Sequence, residues 1–213
     1  MKEVVCFFLK GRELGVDVSQ MKTIAHRTEL QPREGLPEFV KGIVDIHGEQ
    51  IPLVDVDQLL QIPEVDGKKE KRNVVFNAAC GSFAIECDGI SEIVTVEDSA
   101  VQGVPGFFNQ DQTNYADCVI QKKNRALVLV MNPNKLLTNE QSQALKKIVD
   151  EIEQERLEAE RKRREEERRR KEEEKRQREE ELARMKEEAA ANSDQKEQPK
   201  GAEPEVKEDN DNE

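Results

Sequence analysis

Leu36-Pro-Glu-Phe-Val-Lys-Gly-Ile-Val-Asp-Ile-His-Gly-Glu-Gln-Ile-Pro-Leu-Val-Asp55 is the stretch whose reading decides the fold. Two apolar, β-branched runs, residues 42–46 and 51–54, flank the turn His47-Gly-Glu-Gln50, the pattern of two paired strands. Asp55 closes the second run. Val56, Leu59 and Leu60 then follow at helical spacing, so Asp55 is placed to cap a short helix. Gly42, Pro52 and Asp55 are the residues expected to determine this unit. It carries no catalytic constellation, which points toward a protein that binds other proteins.

The same signals recur on both sides. Apolar runs at residues 4–9, 14–18 and 21–25 precede the unit, and runs at 73–79, 82–87, 90–96, 116–121 and 126–131 follow it. Short Gly- or Lys-containing turns separate most of them. The two halves echo each other. Ile51-Pro-Leu-Val-Asp-Val-Asp-Gln-Leu-Leu60 matches the pattern of Val128-Leu-Val-Met-Asn-Pro-Asn-Lys-Leu-Leu137, and Leu14-Gly-Val-Asp-Val18 falls on Phe83-Ala-Ile-Glu-Cys87. Two related small barrels sharing a core satisfy this echo, because closure removes sheet edges.

Past Thr138 the period becomes helical. Thr138-Asn-Glu-Gln141 is a capping box, and Leu145, Ile148, Val149 and Ile152 form one apolar stripe that can dock on the barrels. Residues 153–181 hold 12 basic and 13 acidic side chains, with Leu157 and Ala159 as the only apolar ones. Glu158/Lys162, Glu160/Arg164, Glu165/Arg169, Glu166/Arg170, Glu167/Lys171, Glu172/Arg176 and Glu174/Arg178 are Glu-before-base pairs, each contributing about 0.2–0.5 kcal/mol to a helix. A continuous helix over 139–191 is 53 residues, roughly 80 Å at 1.5 Å each. It lacks a sustained a/d seam, which favours a solvated spacer over a self-associating coiled coil. Residues 192–213 carry 8 acidic and 3 basic side chains and two prolines, the composition of a disordered acidic tail.

Charge and residue usage exclude several functions. With 34 Lys+Arg against 46 Asp+Glu, net −12, the chain lacks the basic clusters that displace counterions from nucleic acid. No apolar run approaches the ~20 residues that span a bilayer, and the run at 4–9 reads as a first strand rather than a signal peptide. A cytoplasmic protein without membrane insertion is expected. Cys6, Cys80, Cys87 and Cys118 lack C-x-x-C spacing and read as buried reduced thiols, with Cys80 and Cys87 spaced so that neighbouring strands can bring them into contact. His26 and His47 have no carboxylate or cysteine at metal-ligand spacing. The cluster Lys68-Lys-Glu-Lys-Arg72 reads as a solvated linker. No catalytic group, cofactor or metal site is expected, and the chain is read as a non-enzyme.

In order along the chain come Phe8-Leu9, Gly15-Val-Asp-Val18, Ile24, Pro37-x-Phe39-x-x-Gly42-Ile43, Gly48, Ile51-Pro-Leu-Val-Asp55, Ile85-x-Cys87-Asp88-Gly89-Ile90 and Leu136-Leu137. Residues 1–138 resemble the CheW-like domain, the coupling module of bacterial chemosensory arrays. The resemblance implies a mainly β fold of two intertwined five-stranded, SH3-like barrels, roughly 15–65 and 72–135 with strand exchange. It implies an adaptor that joins the cytoplasmic tip of chemoreceptors to the regulatory domain of a CheA-type histidine kinase, recruited to membrane-associated receptor arrays. The receptor would take a groove between the barrels and the kinase the barrel ends. The implied partner-binding residues are Met21, Thr23, Ile24, Ile43, His47, Gly48, Cys87 and Asp88. Two places depart from the family pattern. Asp45-Ile-His-Gly48 stands where Asn-Leu-Arg-Gly is usual, and Thr23 stands where a Glu is common. A structural or localisation scaffold outside chemotaxis, with the charged helix as spacer or coiled-coil partner, is the other reading.

Overall fold

Every residue of the run at 4–7 is apolar, and all four are buried. A strand alternates faces, so a run buried throughout must have a core on each side. In the computed structural model, which describes residues 1–60, 70–104, 114–123 and 125–194 (side chains to 186), Val5 and Phe7 face one apolar cluster while Val4 and Cys6 face another. The chain divides into two units, Met1–Arg156 and Leu157–Glu213.

The first unit contains twelve described strands: β1 Lys2–Leu9, β2 Arg12–Asp17, β3 Met21–His26, β4 Leu30–Gln31, β5 Val40–Ile46, β6 Glu49–Val54, β7 Arg72–Ala78, β8 Gly81–Cys87, β9 Gly89–Val96, β10 Val101–Gln102, β11 Ala116–Gln121 and β12 Leu127–Met131. They form two six-stranded sheets, ordered β10-β11-β12-β2-β1-β9 and β3-β7-β8-β6-β5-β4. Each is a set of five longer strands, as expected, extended at one edge by a two-residue strand. Those short strands carry too few residues for a periodic signal.

Each sheet curls around its own small interior. Val96 of β9 meets Cys118 and Ile120 of β11, although β9 and β11 lie toward opposite edges of the first sheet. In the second, Ala25 of β3 joins Val44 and Ile46 of β5. A large shared core lies between the sheets. Its Phe76 and Phe83 are cross-strand partners meeting edge-on at 5.5 Å. Gly15 lets β1 and β2 close on the first interior, since a Cβ there would sit 2.6 Å from Val4 Cγ1.

The internal echo is visible in the register. β12 runs parallel to β2 with Val130 opposite Gly15 and Met131 opposite Val16. Likewise β6 runs parallel to β8 with Leu53 opposite Ala84 and Val54 opposite Ile85. These are the residues that the sequence echo equates. Each of β6 and β12 is followed by a short helix, α1 Val56–Leu60 and α2 Pro133–Leu136. Against ranges of roughly 15–65 and 72–135 with strand exchange, one sheet takes β3 to β8 and the other combines β1 and β2 with β9 to β12. An echo identifies equivalent hairpins, but it does not say which sheet each hairpin joins.

The decisive stretch folds as read. β5 and β6 pair with Ile43 opposite Pro52 and Ile46 opposite Glu49. At the bulge between Val40 and Gly42, β4 packs so closely that a Cβ on Gly42 would lie 2.8 Å from the Gln31 carbonyl oxygen. Pro52 precedes the two residues of β6 that pair with β8, Leu53 and Val54. Asp55 Oδ1 accepts from the Asp57 N–H at 2.9 Å, the capping bond of α1.

The third helix, α3 Asn139–Asp194, begins with the capping box: Gln141 N–H donates to Thr138 Oγ1 (3.2 Å) and Thr138 N–H to Gln141 Oε1 (2.9 Å). Leu145, Ile148 and Ile152 enter the shared core. Arg33 grips Glu155 through both terminal nitrogens, at 3.0 and 2.7 Å, and reaches Glu151 at 3.4 Å.

In the second unit the helix is lined by ion pairs. Glu158–Lys162, Glu160–Arg164 and Glu167–Lys171 form as expected. Elsewhere the base precedes the acid: Arg168–Glu172, Arg170–Glu174, Lys175–Glu179 and Arg176–Glu180. Glu166/Arg170, Glu172/Arg176 and Glu174/Arg178 are therefore replaced, and Glu165/Arg169 is not among the ion pairs formed. Blocks of glutamate alternate with blocks of bases, so a side chain can meet an opposite charge both four residues before and four after. The expected tail lies outside the described residues from 195 onward, as do Lys68 and Lys69 of the expected linker.

Candidate partner-binding surface

The eight implied partner residues fall into four groups. Met21, Thr23 and Ile24 lie on β3, an edge strand of the second sheet, each partly buried and paired with β7. His47 and Gly48 form the exposed tip of the β5–β6 hairpin. Ile43 and Cys87 are inside the shared core at 3% and 1% exposure, so neither presents a side chain to a partner. Asp88 serves the fold: its N–H donates to the Phe8 carbonyl (2.8 Å) and its Oδ2 accepts from the Gly11 N–H (3.1 Å), tying the β1–β2 turn to the start of β9.

The first two groups are linked. Lys22, between Met21 and Thr23, forms an ion pair with Glu49, the residue after Gly48. Sequence reasoning missed this pair because its members are 27 positions apart and belong to no periodic pattern. The hairpin tip owes its shape to local chemistry. His47 (φ 57°) and Gly48 (φ 82°) both occupy the left-handed region that a tight hairpin turn requires. Glycine adopts it freely, and histidine is among the side chains found there more often than most. Asp45 Oδ1 accepts from the Gly48 N–H at 2.8 Å and holds the tip closed. The two unusual residues of this hairpin, Asp45 and His47, thus bear directly on the turn.

The remaining candidate chemistry is structural. Cys80 and Cys87 do not meet, contrary to the contact their spacing allowed. Cys80 sits in the turn before β8 and Cys87 at the far end of that strand, opposite Arg72. All four thiols are free and buried. Burial pushes the Cys6 thiol up to about 11, with Glu13 adding to it and Lys122 opposing, and burial raises Cys80, Cys87 and Cys118 as well. Thiols held neutral in this way are poor nucleophiles. His26 is exposed at the end of β3, against Arg72 and Glu70. Among the described residues no group of three or more His, Cys, Asp or Glu is placed to hold a metal ion. No described helix is long and apolar enough to cross a membrane.

A family model for the CheW-like domain matches residues 3–141, both sheets and the start of α3. The chain belongs to the CheW-like domain family. Curated relatives of the CheW-like domain include the chemotaxis protein CheW of Bacillus subtilis, 22% identical over 143 residues that make up 67% of this chain and 91% of that protein. The chemotaxis protein CheW of Klebsiella aerogenes is 24% identical over 140 residues, 66% of this chain and 84% of the relative. Among solved structures, the scaffolding protein TtCheW of Thermoanaerobacter tengcongensis shares the fold with a TM-score of 0.56 at 17% identity, covering 65% of this chain and 94% of that one. Beyond residue 141 the long charged helix continues outside the matched residues.

Proposed function

We propose that this CheW-like protein is a non-catalytic adaptor that couples chemoreceptors to a CheA-type histidine kinase, with β3 and the β5–β6 hairpin tip as one partner surface. Membership of the family and relatives named as chemotaxis proteins support the chemotaxis setting. The observation that carries the surface assignment is the Lys22–Glu49 ion pair, which joins the edge strand to the hairpin tip. The usual family pattern puts an acid at the position of Thr23 and a base at that of His47. Here a cation on β3 and an anion beside the tip occupy neighbouring positions, with the charges reversed. A receptor tip suited to the usual arrangement would meet the opposite polarity, so the cognate receptor of this chain should differ at its contacting charges.

Co-precipitation from the source cell tests the adaptor reading: a histidine kinase and a chemoreceptor are expected, and a cytoskeletal or pilus partner in their place would overturn it. Titration with the recovered receptor fragment tests the surface. Thr23→Glu combined with His47→Arg should change its affinity about tenfold or more. An unchanged affinity sinks the assignment of this face. For the helix beyond residue 156, ion pairs on a polar surface with Leu157, Leu182 and Met185 all exposed favour a monomeric spacer.

A further inference from the structure

In the second unit the charges of α3 keep a period of seven. Residues 161–167, 168–174 and 175–181 each open with four positions that are basic, Gln177 excepted, and close with three glutamates. Seven residues at about 100° each fall about 20° short of two turns, so equivalent positions stack into columns along the helix. Around the circumference base and acid columns alternate at every step but one. At that step Arg161, Arg168 and Lys175 stand beside Arg164, Lys171 and Arg178, a basic stripe two columns wide with a glutamate column on each flank. In a heptad these are the a and d positions. The exposed large apolar side chains described in this unit, Leu157, Leu182 and Met185, fall on the same two columns. Leu157 precedes the six bases and the other two follow them, so the stripe reads apolar, basic, apolar over about 42 Å.

Pairing within the helix does not consume this stripe. Arg164 and Lys171 reach back to Glu160 and Glu167, while Arg168 and Lys175 reach forward to Glu172 and Glu179. Those four bases remain 68–77% exposed, and ion pairs so open to water are weak. Arg161 and Arg178, at the two ends of the basic run, have no ion-pair partner among the described residues.

The geometry also selects the occupant. Columns of period seven drift about 20° per heptad, which puts Leu157 and Met185 about 80° apart around a straight rod. A flat surface meets one end of the stripe or the other. A second helix coiled left-handedly about the first follows it throughout. A second copy of this chain would set six bases against six along the seam, which disfavours self-pairing.

We propose that this stripe is the docking face for a heptad-patterned helix of a partner protein, one whose seam is acidic over six positions, apolar at both ends and flanked by bases. Each base of the stripe then lies between a glutamate of its own helix and an acid of the partner, and the apolar ends meet their like. The proposal rests on the reading of the free rod as a monomer, which sedimentation of the full chain alone tests separately.

The probe is a fluorescein-labelled peptide with the sequence of residues 154–188 in which every glutamate is replaced by lysine and every lysine or arginine by glutamate. Titrated with the full chain and followed by anisotropy, it should bind at least about tenfold more tightly than a peptide of the same composition in shuffled order. Added salt should weaken the binding. Arg164→Ala with Lys171→Ala should reduce affinity about fivefold, and Leu182→Ser with Met185→Ser about threefold. Arg163→Ala with Arg170→Ala removes the same charge from a column outside the stripe and should change affinity less than about twofold. Equal losses from the two arginine-containing pairs would mean that binding follows net charge and would overturn the proposal. Equal binding of the shuffled peptide or of the uninverted sequence overturns it too, as does no anisotropy change at about 1 mM chain. Binding to phosphatidylglycerol vesicles that Arg164→Ala with Lys171→Ala abolishes would assign the stripe to a membrane instead.

Discussion

Lys122 shows how a single side chain can hold a curled sheet closed. It follows β11, is 8% exposed, and pairs with Glu13 of β2 (3.0 Å) and with Glu92 of β9. β9 lies at the opposite edge of the sheet from β10 and β11, so the ammonium group spans the closure. Its pKa is raised, chiefly by the hydrogen bond to Glu92, against the opposing effect of burial and with a further contribution from Glu13. Because the folded value lies above the unfolded one, the stabilisation is fully present below the ordinary lysine value of about 10.4 and is lost as pH rises through the folded value. Lys122→Met should cost about 2 kcal/mol at pH 7, a figure below that for a fully buried pair because Glu92 is half exposed. Urea unfolding of both proteins checks this: the gap should narrow above pH ~10.4, and a gap constant from neutral to strongly alkaline pH would remove Lys122 from this role.

Elements show which features of the fold were legible and why. All ten longer strands were readable from their apolar runs, and β4 and β10 were not, since two residues have no period. The capping box of α3 was legible because its bonds are local. Thr138→Ala removes one of them and should lower stability by about 1 kcal/mol, measured by thermal or urea unfolding, whereas Thr138→Ser should be nearly neutral. The pairing of β2 with β12, by contrast, joins residues more than a hundred positions apart and had no local sign. The proposed partner surface draws on residues that only the family resemblance named. Edge strand and hairpin tip were named from sequence, but the ion pair joining them was not, and Ile43 and Cys87 proved to be core residues whose apolar character already had a sufficient cause in packing. In the charged helix each base can choose between acids on either side, so the direction of pairing was not fixed by spacing. A peptide of residues 138–192 should be helical to the same extent from 10 to 300 µM (about the range accessible to circular dichroism and sedimentation) if such pairs suffice without a seam. Helicity that rises with concentration would favour self-association.

At the scale of the molecule, the two sheets and the first turns of α3 are one cooperative object. β1 sends alternate residues into two cores, and the shared core takes side chains from both sheets and from the helix. Leu145 is fully buried, and Ile148 and Ile152 are 7% and 6% exposed. Burying each such side chain contributes about 1.5–3 kcal/mol, so the stripe as a whole supplies an upper bound of roughly 5–9 kcal/mol. That compares with a total stability of about 5–15 kcal/mol for a typical domain. The helix start is therefore part of the fold, although the family match ends at residue 141. A chain ending at Arg156 keeps the stripe and the Arg33 clamp on Glu151 and Glu155, and should unfold at the same urea concentration as the full chain. A chain ending at Thr138 loses all of them and opens the seat of Leu145. It should be unfolded or melt far below the full chain, exposing apolar surface to a dye such as ANS. Equal stability of the two truncated chains would mean that the sheets alone close the shared core. The predicted difference between them instead makes the helix a structural member up to residue 156, and only beyond that point is its sequence free of packing and open to selection for charge.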